Sequence, residues 1–137
     1  MDSLQRQFPQ FPFSIIADEW IRFFKGKSLP EQLRDRRIAR VLIAPLLFSS
    51  GGIGIAEDGN FFILLNDMNL PGENAESLGH EIAHTFHHDL TQNPPKNFLP
   101  SDAAELIEDF CRVFSEIWLR ENEGGKIATY CRRIEKQ

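Results

Sequence analysis

Apolar positions along the chain follow two periods, and the switches between them mark out its elements. Ile16, Trp20, Phe23 and Phe24 fall on one side of a helical wheel, which predicts a helix over 14–25 with Ser14 as its cap and Gly26 as its stop. A second helix is expected from Ser28 to about Arg40, opened by a Ser28/Glu31 capping box with Pro30 in the first turn. Residues 41–65 then turn strand-like. The apolar run 41–48 is broken by Pro45, as suits an edge strand, and 49–52 reads as a turn. Ile53–Ala56 and Asn60–Leu65 flank Asp58-Gly59, a hairpin signal. The expectation is a small three-stranded antiparallel sheet. Helical spacing returns with Leu78, Ile82 and Phe86 after a candidate cap at Asn74. Three prolines make 91–100 an irregular connection. A capping box at Asp102 and Glu105 opens a helix with Leu106, Phe110, Val113, Phe114, Ile117 and Trp118 on its apolar face, stopped at 123–125. A short helix over 126–137 closes the chain. In 1–13 proline and phenylalanine alternate, which predicts an extended arm whose rings pack on the body. The pattern is that of one α+β domain spanning residues 1–137.

The motif helix carries the chemistry. His80-Glu81-Ile82-Ala83-His84 is a complete His-Glu-x-x-His motif. On a helix, positions i and i+4 share a face about 6 Å apart along the axis, so two imidazoles can hold one metal ion. Glu81 is turned about 100° from His80, which sets its carboxylate beside the metal as a general base. The motif is short enough to arise by chance on a surface helix, so its context matters. The stripe Leu78, Ile82, Phe86 and the small Gly79 and Ala83 describe a packed helix that presents both histidines inward. His87 and His88 suit the negative end of its dipole.

Composition narrows the class. With 137 residues, 42% hydrophobic and 26% charged, the chain is expected to fold around one modest core, rich in its 12 phenylalanines. A net charge of −5 argues against nucleic-acid binding through a broad basic face. The local cluster Arg34, Arg36, Arg37, Arg40 reads as a solvated helix face. No apolar run approaches the roughly 18–20 residues of a membrane helix. With no visible signal peptide, and with two cysteines, Cys111 and Cys131, that make no disulfide framework, a cytoplasmic location with reduced thiols is expected.

A catalytic zinc needs a third protein donor. The downstream helix offers Glu105, Glu108, Asp109 and Glu116, and helical angles leave Glu105 and Glu108 both open. The blocks 75–88 and 107–115, with the strand Phe62–Asn66 before them, resemble the ImmA/IrrE family of metallopeptidases. Members carry a Leu-Gly-flanked His-Glu-x-x-His helix and then a Glu-x-x-Cys/Ala-x-x-Phe-Ala/Ser helix, matched here by Glu108, Cys111, Phe114 and Ser115. The resemblance covers about residues 40–120. It implies a compact zincin-like fold of minimal gluzincin type, zinc held by His80, His84 and Glu108, and Glu81 as base. It also implies a protein substrate, in some members a helix-turn-helix repressor. One position departs: four residues after the glutamate, where relatives often carry Asn or Asp, stands Arg112. A cation there is expected to pair with Glu108 and weaken its donation, leaving Asp109 or Glu105 to orient a histidine.

The expected reaction is hydrolysis of a peptide bond by water activated beside zinc, with His87, His88 or Tyr130 as candidate oxyanion donors. If strand 61–65 is an exposed edge, an extended substrate would add to it, with Gly51, Gly52 and Gly54 allowing close approach. The competing expectation is a weakly active or inactive zincin-fold module that sequesters a regulatory partner. A metal-free structural domain is the third.

Overall fold

The computed structural model describes residues 13–90 and 104–136. Residues 1–12 of the expected arm, the connection 91–100 and the expected cap at Asp102 lie outside them; Phe13, expected to end the extended arm, instead opens a helix and is buried. The described residues form five α-helices and a three-stranded sheet. Helix α1 is Phe13–Ile21, followed by a 3-10 turn Arg22–Phe24; α2 is Leu29–Asp35. Strands β1 (Ile38–Ala44), β2 (Gly51–Ile55) and β3 (Phe61–Asn66) lead into α3 (Pro71–Leu90), and α4 (Ala104–Glu121) and α5 (Gly124–Arg132) complete the order. Among the described residues no helix is long and apolar enough to cross a membrane.

The capping box at Ser28 is present: the hydroxyl accepts from the Glu31 N–H at 3.3 Å, and the Glu31 carboxylate accepts from the Ser28 N–H at 3.4 Å. That helix stops well short of Arg40. Arg37 takes the left-handed region at φ 57°, where the chain turns out of the helix and Ile38 begins β1.

The sheet is mixed rather than antiparallel throughout. Its order is β1-β3-β2, with β3 antiparallel to β2 and parallel to β1. The Asp58-Gly59 turn makes β2 and β3 a hairpin as expected, with Gly59 at φ +83°. The reversal between β1 and β2 already leaves β1 pointing the same way as β3. What decides the mixed arrangement is which strand takes the centre. Phe61, Ile63 and Leu65 are buried against the helices, while Phe62 and Leu64 are half-buried on the other face. A strand apolar on both faces is stabilised by neighbours on both edges. Strand β2, with glycine at three of its five positions, has few side chains to hold a second neighbour.

β3 is therefore the central strand, not an exposed edge, and a substrate cannot add to it. Part of the outer edge of β1 is taken by the C-terminal segment, where the Ile43 N–H donates to the Glu135 carbonyl at 3.0 Å. Among the described residues nothing pairs with the outer edge of β2.

Between sheet and helices lies a core in which Phe13, Phe86, Phe110, Phe114 and Trp118 are almost wholly buried. The Phe86 and Phe114 ring centroids are 5.5 Å apart, and Trp20 meets Phe86 edge-on at 4.3 Å. A polar network crosses this core without a vacancy. Trp118 Nε1 donates to Gln32 Oε1 at 2.9 Å, and Gln32 Nε2 donates to Asn122 Oδ1 at 2.8 Å and to the Lys27 carbonyl at 3.0 Å. It ties α2 to the end of α4.

Candidate metal centre

The placement of the motif begins at a close helix crossing. An added Cβ on Gly79 would lie 2.7 Å from Ser115 Oγ, 2.7 Å from the Trp118 ring and 3.2 Å from Ser115 Cα. Only glycine lets α3 and α4 approach this closely here. The crossing is pinned by Ser115 Oγ, which donates to the Glu76 carbonyl at 2.7 Å. Leu78, Ile82 and Phe86 are fully buried beside it. These contacts fix the rotation of α3, so the opposite face, with His80 and His84, opens into a cleft.

One turn or two before that crossing, α4 brings Glu108 over the same cleft. Its carboxylate spans both imidazoles: Oε2 lies 2.9 Å from His80 Nε2, and Oε1 lies 3.1 Å from His84 Nε2. The two rings are 5.0 Å apart. His80, His84 and Glu108, expected to converge, are thus together. Glu105 is exposed and takes no place among these contacts.

Glu81 is the buried member, only 7% exposed. Burial, and then the negative charge of Glu108, push its carboxyl up from 4.5 to about 7. Strand β2 closes over it: an added Cβ on Gly51 would lie 3.5 Å from Glu81 Cγ and 3.4 Å from Ser77 Cβ. His84 is pulled the other way. Burial outweighs the pull of Glu108 and lowers it from 6.5 to about 4, so its imidazole is neutral at neutral pH. The cleft holds about 610 Å³ and is bordered by Ser49, Ser50, Glu76, Glu116 and Leu119 besides the residues already named.

Arg112 does not take the partner expected for it. Its Nη1 donates to Asp109 Oδ1 at 3.1 Å, one turn back on α4. Glu108 and Asp109 are consecutive, so they point about 100° apart on a helix, and the cation follows the buried one. Arg112 itself stands on the cleft wall. Asp109, so engaged, is not the group that orients a histidine.

The other candidates disperse. The His87 ring lies 5.1 Å from that of His84, and burial lowers its pKa. His88 turns edge-on to Phe61 at 5.6 Å. Tyr130 borders a separate hollow with Lys126 and Arg133. Of the glycines expected to admit a substrate, Gly51 is packed against α3 and Gly54 lies beneath the Phe62 ring; Gly52 has open space where a side chain would be.

One residue at the centre escaped the sequence reading. The Cys111 sulfur and one ring nitrogen each of His80 and His84, a set that could hold a metal ion, all lie within 4.8 Å of one another. Cys111 is fully buried, and burial followed by the charges of Glu108 and Glu81 drives its pKa upward. Its spacing of three from Glu108 puts it on the same helix face, which is the signal that could have found it.

No protein-family model matches the chain, and no curated protein matches it in sequence.

Proposed function

We propose that the protein is a zinc-dependent metallopeptidase. The observation that carries this reading is the single carboxylate lying 2.9 and 3.1 Å from two imidazole nitrogens. A carboxylate and two nitrogen lone pairs repel unless protons or a cation lie between them. Neutral imidazoles can meet this carboxylate through their Nε2–H protons, and with the Nε2 lone pairs turned inward the same three groups are set to share one cation. The donor set suits zinc: two neutral imidazoles and one carboxylate, drawn from two helices held rigidly at Gly79 and Ser115.

Zinc held there supplies Lewis acidity to the carbonyl and the water beside it. The protein's own part is proton handling. Glu81, poised near neutrality, takes the proton of the attacking water and returns it to the departing amine nitrogen. Arg112, on the cleft wall, is the cation placed to meet the developing oxyanion.

Two features support an extended peptide as substrate. Strand β2 meets the cleft at Gly51 and among the described residues its outer edge is unpaired, so a peptide leaving the cleft can pair its backbone there, the role first expected of β3. In the loops joined to the cleft residues Ser49 and Ser50, Leu47, Phe48, Met68 and Leu70 stand 68–98% exposed. Their loops are braced, not loose: Asn66 Nδ2 donates to the Leu46 and Ser49 carbonyls at 2.8 Å, and Asn69 Nδ2 to Ser50 at 2.7 Å. Such a rigid apolar rim suits a substrate with large apolar side chains. A helix-turn-helix repressor, as in the resembling family, is the finer reading of that substrate.

The test is Glu81→Gln in the zinc-loaded protein, assayed on a denatured apolar-rich polypeptide and on a helix-turn-helix repressor. Metal content is expected to stay at one per chain while cleavage falls by roughly 10²- to 10⁴-fold. Cleavage that survives the substitution rejects Glu81 as base. A wild type that binds zinc and a repressor but cuts neither substrate replaces hydrolysis with sequestration.

A further inference from the structure

We infer that Cys111 is a fourth protein donor to the ion held by His80, His84 and Glu108, so that the resting centre is closed by a thiolate. The inference rests on the metal centre proposed above and adds to it the state in which no position is left for water.

Three of the four donors are already gathered, and the fourth, Glu108, meets both imidazoles. Donors about 2.0–2.3 Å from a tetrahedral ion lie roughly 3.5 Å from one another. The sulfur and the two nitrogens lie within 4.8 Å of each other, so side-chain shifts on the order of 1 Å bring the three together. Cys111 and Glu108 leave α4 three residues apart on one face, so both can reach the same ion. They differ in surroundings. The Glu108 side chain is 54% exposed and lines the cleft, whereas Cys111 is wholly buried. One donor comes from the solvent side and the other from the protein side, with the imidazoles between them.

The chemistry favours the same set. On ligation the thiol proton of Cys111 leaves to solvent and the sulfur lone pair takes its place on the ion. For water to enter, the thiolate must leave and take up a proton again. The proposed hydrolysis and the closed centre are therefore alternating states of one site. A fully buried thiol forming such a bond protects both itself and the metal from the solvent.

Cobalt(II) reads the donor set directly. The protein is stripped of metal, loaded with one equivalent of cobalt(II), and its absorption spectrum recorded. A thiolate-to-cobalt charge-transfer band in the near ultraviolet is expected, together with intense visible bands of a four-coordinate ion. Cys111→Ala should abolish the first while cobalt stays bound, and Cys131→Ala should leave it unchanged. Cys111→Ser serves as the second variant should the alanine form fail to fold. Cobalt bound without the charge-transfer band in the wild type overturns the inference, as does a protein that takes up no cobalt. The band together with zinc-loaded protein that cuts nothing keeps the closed centre and removes the peptidase, so the two failures are distinguishable.

Discussion

Helix α3 has two faces built to opposite rules. On one, Leu78, Ile82 and Phe86 have no exposed surface, and Gly79 lets Ser115 and Trp118 come closer than any side chain would allow. On the other, His80, His84 and Glu81 meet Glu108 around a cleft, with one carboxyl raised towards neutrality and one imidazole lowered. The first face lowers the free energy of folding. The second raises it, because ionisable groups are gathered out of water and set against each other's preferences. The dry face is what allows the wet one to persist.

Truncating each face should therefore have opposite signs. Phe86→Ala removes a ring packed among Trp20, Phe24 and Phe114, and is expected to cost about 3–5 kcal/mol in denaturant unfolding. Zinc stoichiometry of the fraction still folded should hold.

Glu81→Gln is expected to stabilise the metal-free protein instead. A carboxyl raised from 4.5 to about 7 binds more protons folded than unfolded between those values. Its contribution is thus present at low pH and lost as pH rises through about 7. Removing the ionisable group should raise stability at pH 8 by up to about 3 kcal/mol and change it little at pH 4, as urea melts of both proteins at the two pH values will show. His84 runs the other way. Lowered from 6.5 to about 4, it destabilises the fold as pH falls through that interval. A wild-type protein without metal should accordingly be most stable between the two transitions. Equal effects of Glu81→Gln at pH 8 and pH 4 would break the comparison.

Gly79→Ala tests whether the dry face sets the wet one. Helix propensity alone favours alanine by about 1 kcal/mol. The new methyl would overlap Ser115 Oγ and the Trp118 ring, and overpacking costs about 1–3 kcal/mol. The ring and the Ser115 backbone have little room to yield, so a net loss of stability is expected. Separation of α3 from α4 would also draw Glu108 away from the histidines. Zinc affinity, measured by competition with a chelator, should fall with stability; unchanged affinity would mean the cleft is set elsewhere.

How much of this was legible in the sequence follows from what each signal encodes. The i, i+4 spacing of His80 and His84 needs only a helix, and the stripe Leu78, Ile82, Phe86 supplied one. The capping box at Ser28 was equally local. Glu108 was a different matter. Helical angles left it level with Glu105, and only a family resemblance favoured it, because the crossing point of two helices is tertiary information. Cys111 stood in the block that resembles the family and was weighed only for disulfides, while its spacing of three from Glu108, which sets it beside the histidines, went unused. The sheet failed for a general reason. Alternation tells which face a residue takes and not which strand lies alongside, so β3 at the centre and β1 parallel to it were out of reach. Charge patterns misled in a similar way. Arg112 was expected on Glu108 and lies on Asp109, and the arginine cluster read as solvated contains one residue that is not.

That residue is Arg36, which joins the two faces at the far end of the helix. Its Nε donates to Thr85 Oγ1 at 2.9 Å and its Nη2 to the Thr85 carbonyl at 3.1 Å, while the guanidinium lies 3.8 Å from the centre of the Phe86 ring. Thr85 follows His84, so this clamp fixes the turn that carries the second imidazole. Lysine keeps the charge but has neither the fork nor the flat surface for the ring. Arg36→Lys should cost about 1–2 kcal/mol, the loss of one forked contact and part of a cation–π interaction. It leaves every donor in place. A clamp that only adds stability would change unfolding alone. A clamp that also orients His84 would weaken zinc binding in the fully folded protein, and that second loss is the expected one.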